Sequence, residues 1–298
     1  MNRRQFTKTA AMSAAFISAV PVTGTSVFGS FPARAHKKAM MWGGIGVGST
    51  IMEKFQAAKQ AGFDGVEVDS HLNRAEVKQA AAATGLIVPS VCNSQHWKYL
   101  MSSPDPQVRE QGVAAMKLAL EDAAEFGADT VLLVPGRVNE SVRYDECWDR
   151  SVAEIRKLVP LAEKLKVKIA IENVWNNFLL SPLEMARYVD QFQSEYVGAY
   201  FDCGNILTYG WPEQWIRILG KRIAKIHIKE YSRKIADEKG KSAGFNVQLR
   251  DGDVNWPEVM KAIDETAYQG WLTIEMGGGN TPEGLKDLCD RLKLIIES

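Results

Sequence analysis

The chain has 298 residues, 46% hydrophobic and 24% charged, an ordinary globular composition long enough for one large α/β domain or two small ones. Lys plus Arg and Asp plus Glu stand at 36 each, so no basic excess draws the protein onto nucleic acid or another polyanion. The balance is uneven along the chain. Residues 1–35 hold Arg3, Arg4, Lys8 and Arg34 and no acid, and taking those four from 36 leaves 32 basic residues against 36 acidic ones.

The first stretch reads as an address. Asn2-Arg3-Arg4-Gln5-Phe6-Thr7-Lys8 resembles a twin-arginine motif, an apolar run follows from Thr9 to Val22, and Ala33-Arg34-Ala35 has the A-x-A form of a cleavage site. The run is too short and too rich in Ala and Ser to span a bilayer. Residues 1–35 are therefore expected to be an export signal that packs on nothing. The mature chain is expected to start near His36 and to work in the periplasm or outside the cell. Cys92, Cys147, Cys203 and Cys289 form no C-x-x-C pair, so they are read as free thiols rather than a zinc ribbon or a disulfide frame.

From His36 onward strand and helix patterns alternate. Ala39–Trp42 leads through a Gly-rich loop to a helix over Thr50–Ala61, and Gly65–Asp69 precedes a helix over Arg74–Thr84. Leu86–Val91 precedes the long helix Pro106–Phe126, and Thr130–Val134 precedes Tyr144–Leu165. Strands over Val167–Glu172, Val197–Asp202, Ile223–His227 and Trp271–Glu275 are followed by helices over Pro182–Gln191, Glu213–Leu219, Trp256–Ala267 and Pro282–Glu297. Ser181 and Asn255 stand as N-caps, each with a Glu at the third helical position. Eight such units predict a parallel sheet closed into a (β/α)8 TIM barrel, a single domain over residues 36–298. A doubly wound open sheet is the second choice. Gly43-Gly44-Ile45-Gly46-Val47-Gly48 follows a strand, but Ser49 sits where a dinucleotide-binding loop needs its third glycine.

The last four strands carry the chemistry. On one parity lie apolar residues, among them Ile169, Ile171, Phe201, Ile226, Leu272 and Ile274. On the other parity the strands end on Glu172, Asp202, His227 and Glu275. Period-two alternation sends these four to one face, and in a barrel that end is the active-site mouth. Three carboxylates and an imidazole suit one divalent ion: Mn²⁺ is the first expectation, with Mg²⁺, Co²⁺ and Zn²⁺ as others.

Nearly the whole mature chain resembles the xylose-isomerase-like superfamily of sugar isomerases and epimerases. The resemblance rests on Ile171-Glu172-Asn173, Phe201-Asp202-Cys203-Gly204-Asn205, Ile226-His227-Ile228-Lys229-Glu230, and the run from Gly252-Asp253-Val254-Asn255-Trp256 to Gly270–Glu275. It implies that Glu172, Asp202, His227 and Glu275 hold one metal, and that Glu172 and Glu275 are bases on opposite faces of a keto sugar, working through an enediolate. It also offers Arg233 as a substrate ligand, from the His-x-x-Glu-x-x-Arg frame. Two departures from the ketose 3-epimerases point to different substrate recognition: Asn205 replaces a His, and Phe178 replaces a Glu. The expected activity is a metal-dependent sugar isomerase or epimerase acting on an unphosphorylated sugar or keto-sugar derivative, since phosphorylated sugars are scarce outside the cytoplasm.

Further substrate-binding candidates are Asn205, His96, Lys229, Trp175 and Glu67. Glu67 shares the ligands' parity and could instead pair with Lys168 or Lys225. Trp97 could stack on a sugar. The loop Gly277-Gly278-Gly279-Asn280 lies where barrels often bind phosphate and is read as a flexible loop. Competing functions are an inosose-dehydratase-like lyase on the same metal site and an exported, non-catalytic sugar-binding barrel. The related apurinic endonucleases need several zinc ions and many His, whereas this chain has 4 His. The expected partner is a small carbohydrate, with no nucleic acid and no stable membrane insertion. Self-association into a homo-oligomer is left open.

Overall fold

The computed structural model describes residues 34–298. The proposed export motif and its apolar run lie outside the described residues. Eight parallel strands close a barrel in chain order, β8 pairing back onto β1 through Met40↔Ile274. The strands are β1 (Lys37–Met41), β2 (Gly65–Asp69), β3 (Val91–Cys92), β4 (Thr130–Leu133), β5 (Lys168–Glu172), β6 (Val197–Asp202), β7 (Ile223–Ile228) and β8 (Trp271–Ile274). Around them run α1 (Ile51–Ala61), α2 (Arg74–Thr84), α3 (Pro106–Phe126), α4 (Tyr144–Arg156), α5 (Val159–Leu165), α6 (Pro182–Asp190), α7 (Pro212–Leu219), α8 (Arg233–Lys239), α9 (Trp256–Glu265) and α10 (Pro282–Ile296). The closed ring removes the open-sheet alternative.

The alternation read from the sequence divides the core in two. Val66, Val68, Val131, Ile169, Ile171, Phe201, Ile226, Leu272 and Ile274 face outward into the apolar layer shared with the helices. Cys92, Leu132, Ala170 and Tyr200 form a separate small cluster, as the inward parity of a barrel requires. This thin apolar plug supports the polar mouth above it.

Departures from the expected elements have local causes. The third strand shrinks from Leu86–Val91 to Val91–Cys92, with Ile87 making only an isolated bridge to Gly65. Pro89 has no N–H to give the ladder. The helix expected over Tyr144–Leu165 breaks after Arg156, where Pro160 cannot bond the Arg156 carbonyl one turn back. Between β7 and α9 the loop contains α8, capped by the Ser232 side chain accepting from the Ile235 N–H. It buries no residue, so the hydrophobic pattern gave no sign of it. Ser181 caps α6 as expected, accepting from the Glu184 N–H, whereas Asn255 makes no side-chain cap bond to α9.

Contacts with the barrel reach back to Arg34, two residues before the expected start at His36. Arg34 Nε lies 3.0 Å from both Asp264 carboxylate oxygens, and a terminal N–H of Arg34 donates to the Ile296 carbonyl at 2.7 Å. Arg34 thus ties α9 to the end of α10. All four cysteines are buried and unpaired.

Candidate metal centre

Glu172, Asp202, His227 and Glu275 each offer one ligand atom, and the four atoms lie within 4.8 Å of one another. They come from the C-terminal ends of β5, β6, β7 and β8 in turn. A bulge makes this possible. β6 and β7 pair at Ala199↔Ile223 and next at Tyr200↔Lys225, so β7 carries one extra residue, Ala224. The slip sets Asp202 beside His227; an unbroken ladder would have put Ile226 there.

Two of the four, His227 and Asp202, are held from behind. Glu67 Oε1 lies 2.9 Å from His227 Nε2. The other Glu67 oxygen accepts from the hydroxyls of Ser90 and Tyr200. Glu67 and His227 are fully buried. A carboxylate at Nε2 favours a proton there, and Nδ1 faces the acids, 3.1 Å from Glu172 and 2.9 Å from Glu275. A carboxylate behind a metal-binding imidazole is a recurrent support, fixing tautomer and ring orientation. Asp202 is held by Asn173, whose side-chain oxygen accepts from the Asp202 N–H at 2.8 Å and whose amide donates to the Asp202 carbonyl at 2.8 Å. The Asn205 N–H donates to Asp202 Oδ1 at 2.6 Å, and the Asn205 amide donates to the Asn173 carbonyl at 3.0 Å.

The electrostatics are those of a site short of positive charge. Burial pushes Glu172 up to about 8, with the charge of Glu275 acting the same way. Burial raises Asp202 to about 6 against the pull of Lys229. Burial also opposes the charge of Glu275, but Lys229 and His227 outweigh it and hold that carboxyl below the usual range. His227 is raised well above an ordinary imidazole: burial opposes its charge, and Glu67 and Glu275 overcome burial. Lys229 Nζ stands 3.2 Å from Asp202 Oδ2 and 2.9 Å from Glu275 Oε2. Even so, those two buried oxygens have no hydrogen-bond partner of acceptable geometry among the described residues. Four carboxylates here face two cationic side chains, His227 and Lys229. A divalent ion would supply the missing charge and use the orphaned oxygens, so the residues fit a metal.

The other candidates divide by position. Lys229 is inside the centre. Glu67 is beneath it with both oxygens engaged, and pairs with neither expected lysine: Lys168 donates to the Glu195 carbonyl and Lys225 pairs with Asp129 at 2.5 Å. Asn205 is a brace for Asp202. Arg233 is turned to the loop after β6, donating to the carbonyls of Leu207 at 3.0 Å and Gly210 at 3.1 Å. Trp175 donates to the Asn205 carbonyl at 2.9 Å and packs on Tyr231 and Phe245. His96 is buried on the loop after β3, its Nδ1 3.4 Å from the Val134 N–H. Exposed Trp97 lies under Arg137, the guanidinium 4.9 Å from its ring. Phe178 explains its own departure from the epimerase pattern: it is buried in an aromatic cluster with Tyr144, Trp148 and Tyr188. Asn173, Ser90 and Tyr200 had no assigned role in the sequence. Their parity or motif was visible, but the partner they hold was not.

A cavity of about 600 Å³ lies at the opposite end of the barrel, bordered by Lys168, Asp190, Glu195, Lys221 and Arg222. Two of these charges are paired, Arg222 with Asp190 at 2.7 Å. That end of a barrel serves stability rather than chemistry.

Curated relatives include L-ribulose-5-phosphate 3-epimerases. The UlaE enzyme of Escherichia coli O1:K1 / APEC is 26% identical over 243 residues, covering 77% of this chain and 83% of that enzyme. Its counterpart in Salmonella paratyphi A matches with the same identity and coverage. Among solved structures, 3-keto-D-glucoside 4-epimerase YcjR from E. coli superposes with TM-score 0.73 at 19% identity, over 88% of this chain and all of that one. L-ribulose 3-epimerase superposes with TM-score 0.71 at 17% identity, over 88% of this chain and 95% of that one. The model of the xylose isomerase-like TIM barrel family matches residues 55–295. With the match spanning most of a closed eight-stranded barrel, the chain belongs to the xylose isomerase-like TIM barrel family.

Proposed function

We propose that the protein is a metal-dependent sugar isomerase or epimerase that moves a proton next to the carbonyl of an unphosphorylated sugar or keto-sugar derivative. One observation carries this reading: Glu172 and Glu275 come from β5 and β8 and approach the same nitrogen of His227, at 3.1 and 2.9 Å. Two carboxylates in one ligand set can each coordinate through one oxygen and keep the other for proton transfer. A bound divalent ion, most suitably Mn²⁺ for this mixed oxygen and nitrogen set, supplies Lewis acidity towards the substrate carbonyl. One glutamate takes the α-proton and the other returns a proton on the opposite face, which inverts the carbon by way of an enediolate. Lys229, beside Asp202 and Glu275, offers N–H donors to developing negative charge on a substrate oxygen. The relatives' names support the reaction class. The phosphate in one of those names does not carry over in this reading, which takes the twin-arginine-like start and A-x-A site as an export signal and expects phosphorylated sugars to be scarce outside the cytoplasm.

The test is deuterium exchange into each epimer, followed by NMR on metal-loaded protein. Glu172→Gln and Glu275→Gln keep an oxygen ligand but cannot accept a proton at neutral pH. Each is expected to lose epimerisation by at least about 100-fold and to retain exchange on one epimer, opposite epimers in the two variants. Full epimerisation by either variant would exclude the two-base mechanism. A conjugated, ultraviolet-absorbing product would instead identify a dehydratase.

A further inference from the structure

The interior of the barrel places one more acid at the mouth. Glu67, Tyr200 and Thr273 form one inward layer: the Tyr200 hydroxyl donates to Glu67, and Thr273 is in register with His227, which Glu67 also contacts. Side chains on a strand return to the same face every second residue. Two residues on from that layer stand Asp69, Asp202 and Glu275. The last two are metal-ligand candidates. The first is on β2, four strands from β6 in a ring of eight, so it faces the ligands from across the mouth. Its strand partner is Cys92, which belongs to the interior cluster.

The Asp69 carboxyl group has no hydrogen bond and no ion pair among the described residues. Burial and the charge of Glu67 raise it, and Lys54, the cation that acts against them, sits over the Trp42 ring, its ammonium 4.5 Å from the ring centre. His96, on the neighbouring strand's loop, is 7% exposed. Its Nδ1 accepts the Val134 N–H, so the neutral ring carries its proton on Nε2, which has no partner among the described residues. His96 follows the C-terminal end of β3, the same end of the barrel at which β5 to β8 present the ligand candidates. Burial pushes the imidazole down to about 4, so it is neutral at pH 7. An unpaired acceptor and an unpaired donor on adjacent strand ends suit a hydroxyl, which both donates and accepts.

We propose that Asp69 and His96 form the subsite for the substrate hydroxyls remote from the metal, and that Asp69 selects a neutral polyol end over a phosphorylated one. The inference rests on the isomerase reading above and names its substrate class. A carboxylate that accepts from a hydroxyl gains a charge-assisted bond. The same carboxylate opposite a phosphate meets like charge, which weakens binding.

Matched ketose pairs test it: L-ribulose with L-ribulose 5-phosphate, and D-fructose with D-fructose 6-phosphate. Solvent deuterium exchange is followed on Mn²⁺-loaded wild type, Asp69→Asn and Asp69→Ala, with melting temperatures as the folding control. Wild type should favour the free sugar by about 100-fold or more in kcat/KM. Both variants should raise KM for it about tenfold with kcat within about twofold, the mark of binding shared by ground and transition state. Asp69→Asn should also narrow the preference over phosphate by about tenfold or more. Wild-type preference for a phosphorylated sugar, or an Asp69→Asn enzyme with unchanged KM and preference, would overturn the subsite and leave the isomerase reading standing. Exchange on none of the four sugars would overturn both.

Discussion

Glu67 decides how His227 presents itself. It sits at the end of a residue-separation of 160 from the histidine it holds, and its second oxygen is fixed by Ser90 and Tyr200. The inward parity of Glu67 was readable from Gly65–Asp69, but its partner was not, because strand alternation says which face a side chain occupies and nothing about what stands opposite. Glu67→Gln keeps the shape and an acceptor oxygen while removing the charge that makes the imidazole a better ligand. Mn²⁺ affinity should fall about 10- to 100-fold, measured by titration with electron paramagnetic resonance of the free ion. Unchanged affinity would reduce Glu67 to a filler of the barrel. Conversely, Arg233, which the family resemblance offers as a substrate ligand, and Asn205, a further substrate-binding candidate, are spent on the backbone in this structure. Their replacement of a direct role by a bracing one follows from side-chain length and the nearest carbonyl, neither of which a motif records.

At the level of elements, local sequence explains most boundaries. α1 begins with a full capping box: Thr50 accepts from the Glu53 N–H at 3.2 Å, and Glu53 accepts from the N–H groups of Ser49 and Thr50. Thr50→Ala should cost about 1 kcal/mol, read from the denaturant midpoint; no loss would mean α1 is held by packing alone. The backbone N–H of Ser49 and that of Thr50 hold the Glu53 carboxyl down at about 2, from an ordinary 4.5. A depressed folded value stabilises the charged form. The contribution of Glu53 is therefore complete above about 4.5 and disappears as pH falls through about 2. The stability difference between wild type and Glu53→Gln should be constant from pH 7 to 5 and close over that acid window. A gap that persists below pH 2 would assign the effect to something other than the carboxylate. Arg34 makes a second element-scale case. Its partner Asp264 has a side chain only 6% exposed, so a chain starting at His36 leaves that acid buried without its cation. Against a chain starting at Ala33, a loss of about 1–3 kcal/mol is expected, seen as a lower melting temperature. Equal melting would return the boundary to His36.

For the whole molecule the governing fact is closure. Eight strand ends meet around one axis, and the acids on β2, β5, β6 and β8 converge on a space that His227 and Lys229 share. Such a mouth is destabilised by its own repulsion, and a cation that binds only the folded state stabilises it by mass action. At a Mn²⁺ concentration 100-fold above Kd the gain is about 2.7 kcal/mol, which for a domain of this size raises the melting temperature on the order of 5–10 °C. Asp202→Ala should abolish the shift. A wild type indifferent to Mn²⁺, or an equal shift in the variant, would move the metal elsewhere.

What the sequence determined by itself is what repeats: the eight alternating units, the apolar parity of Ile169, Ile171, Phe201, Ile226, Leu272 and Ile274, and the four ligand types that close the last strands. These are periodic or local signals, and burial of one face enforces them. What tertiary structure decided is adjacency. The extra Ala224 that brings His227 beside Asp202 leaves no mark in composition. The seating of Glu67 beneath His227, the bracing of Asp202 by Asn173, and the unpaired Asp69 across the mouth all depend on the register between strands far apart in the chain. Period two fixes the face a residue takes; only barrel closure, with its tilt and its one bulge, fixes the neighbour it meets there.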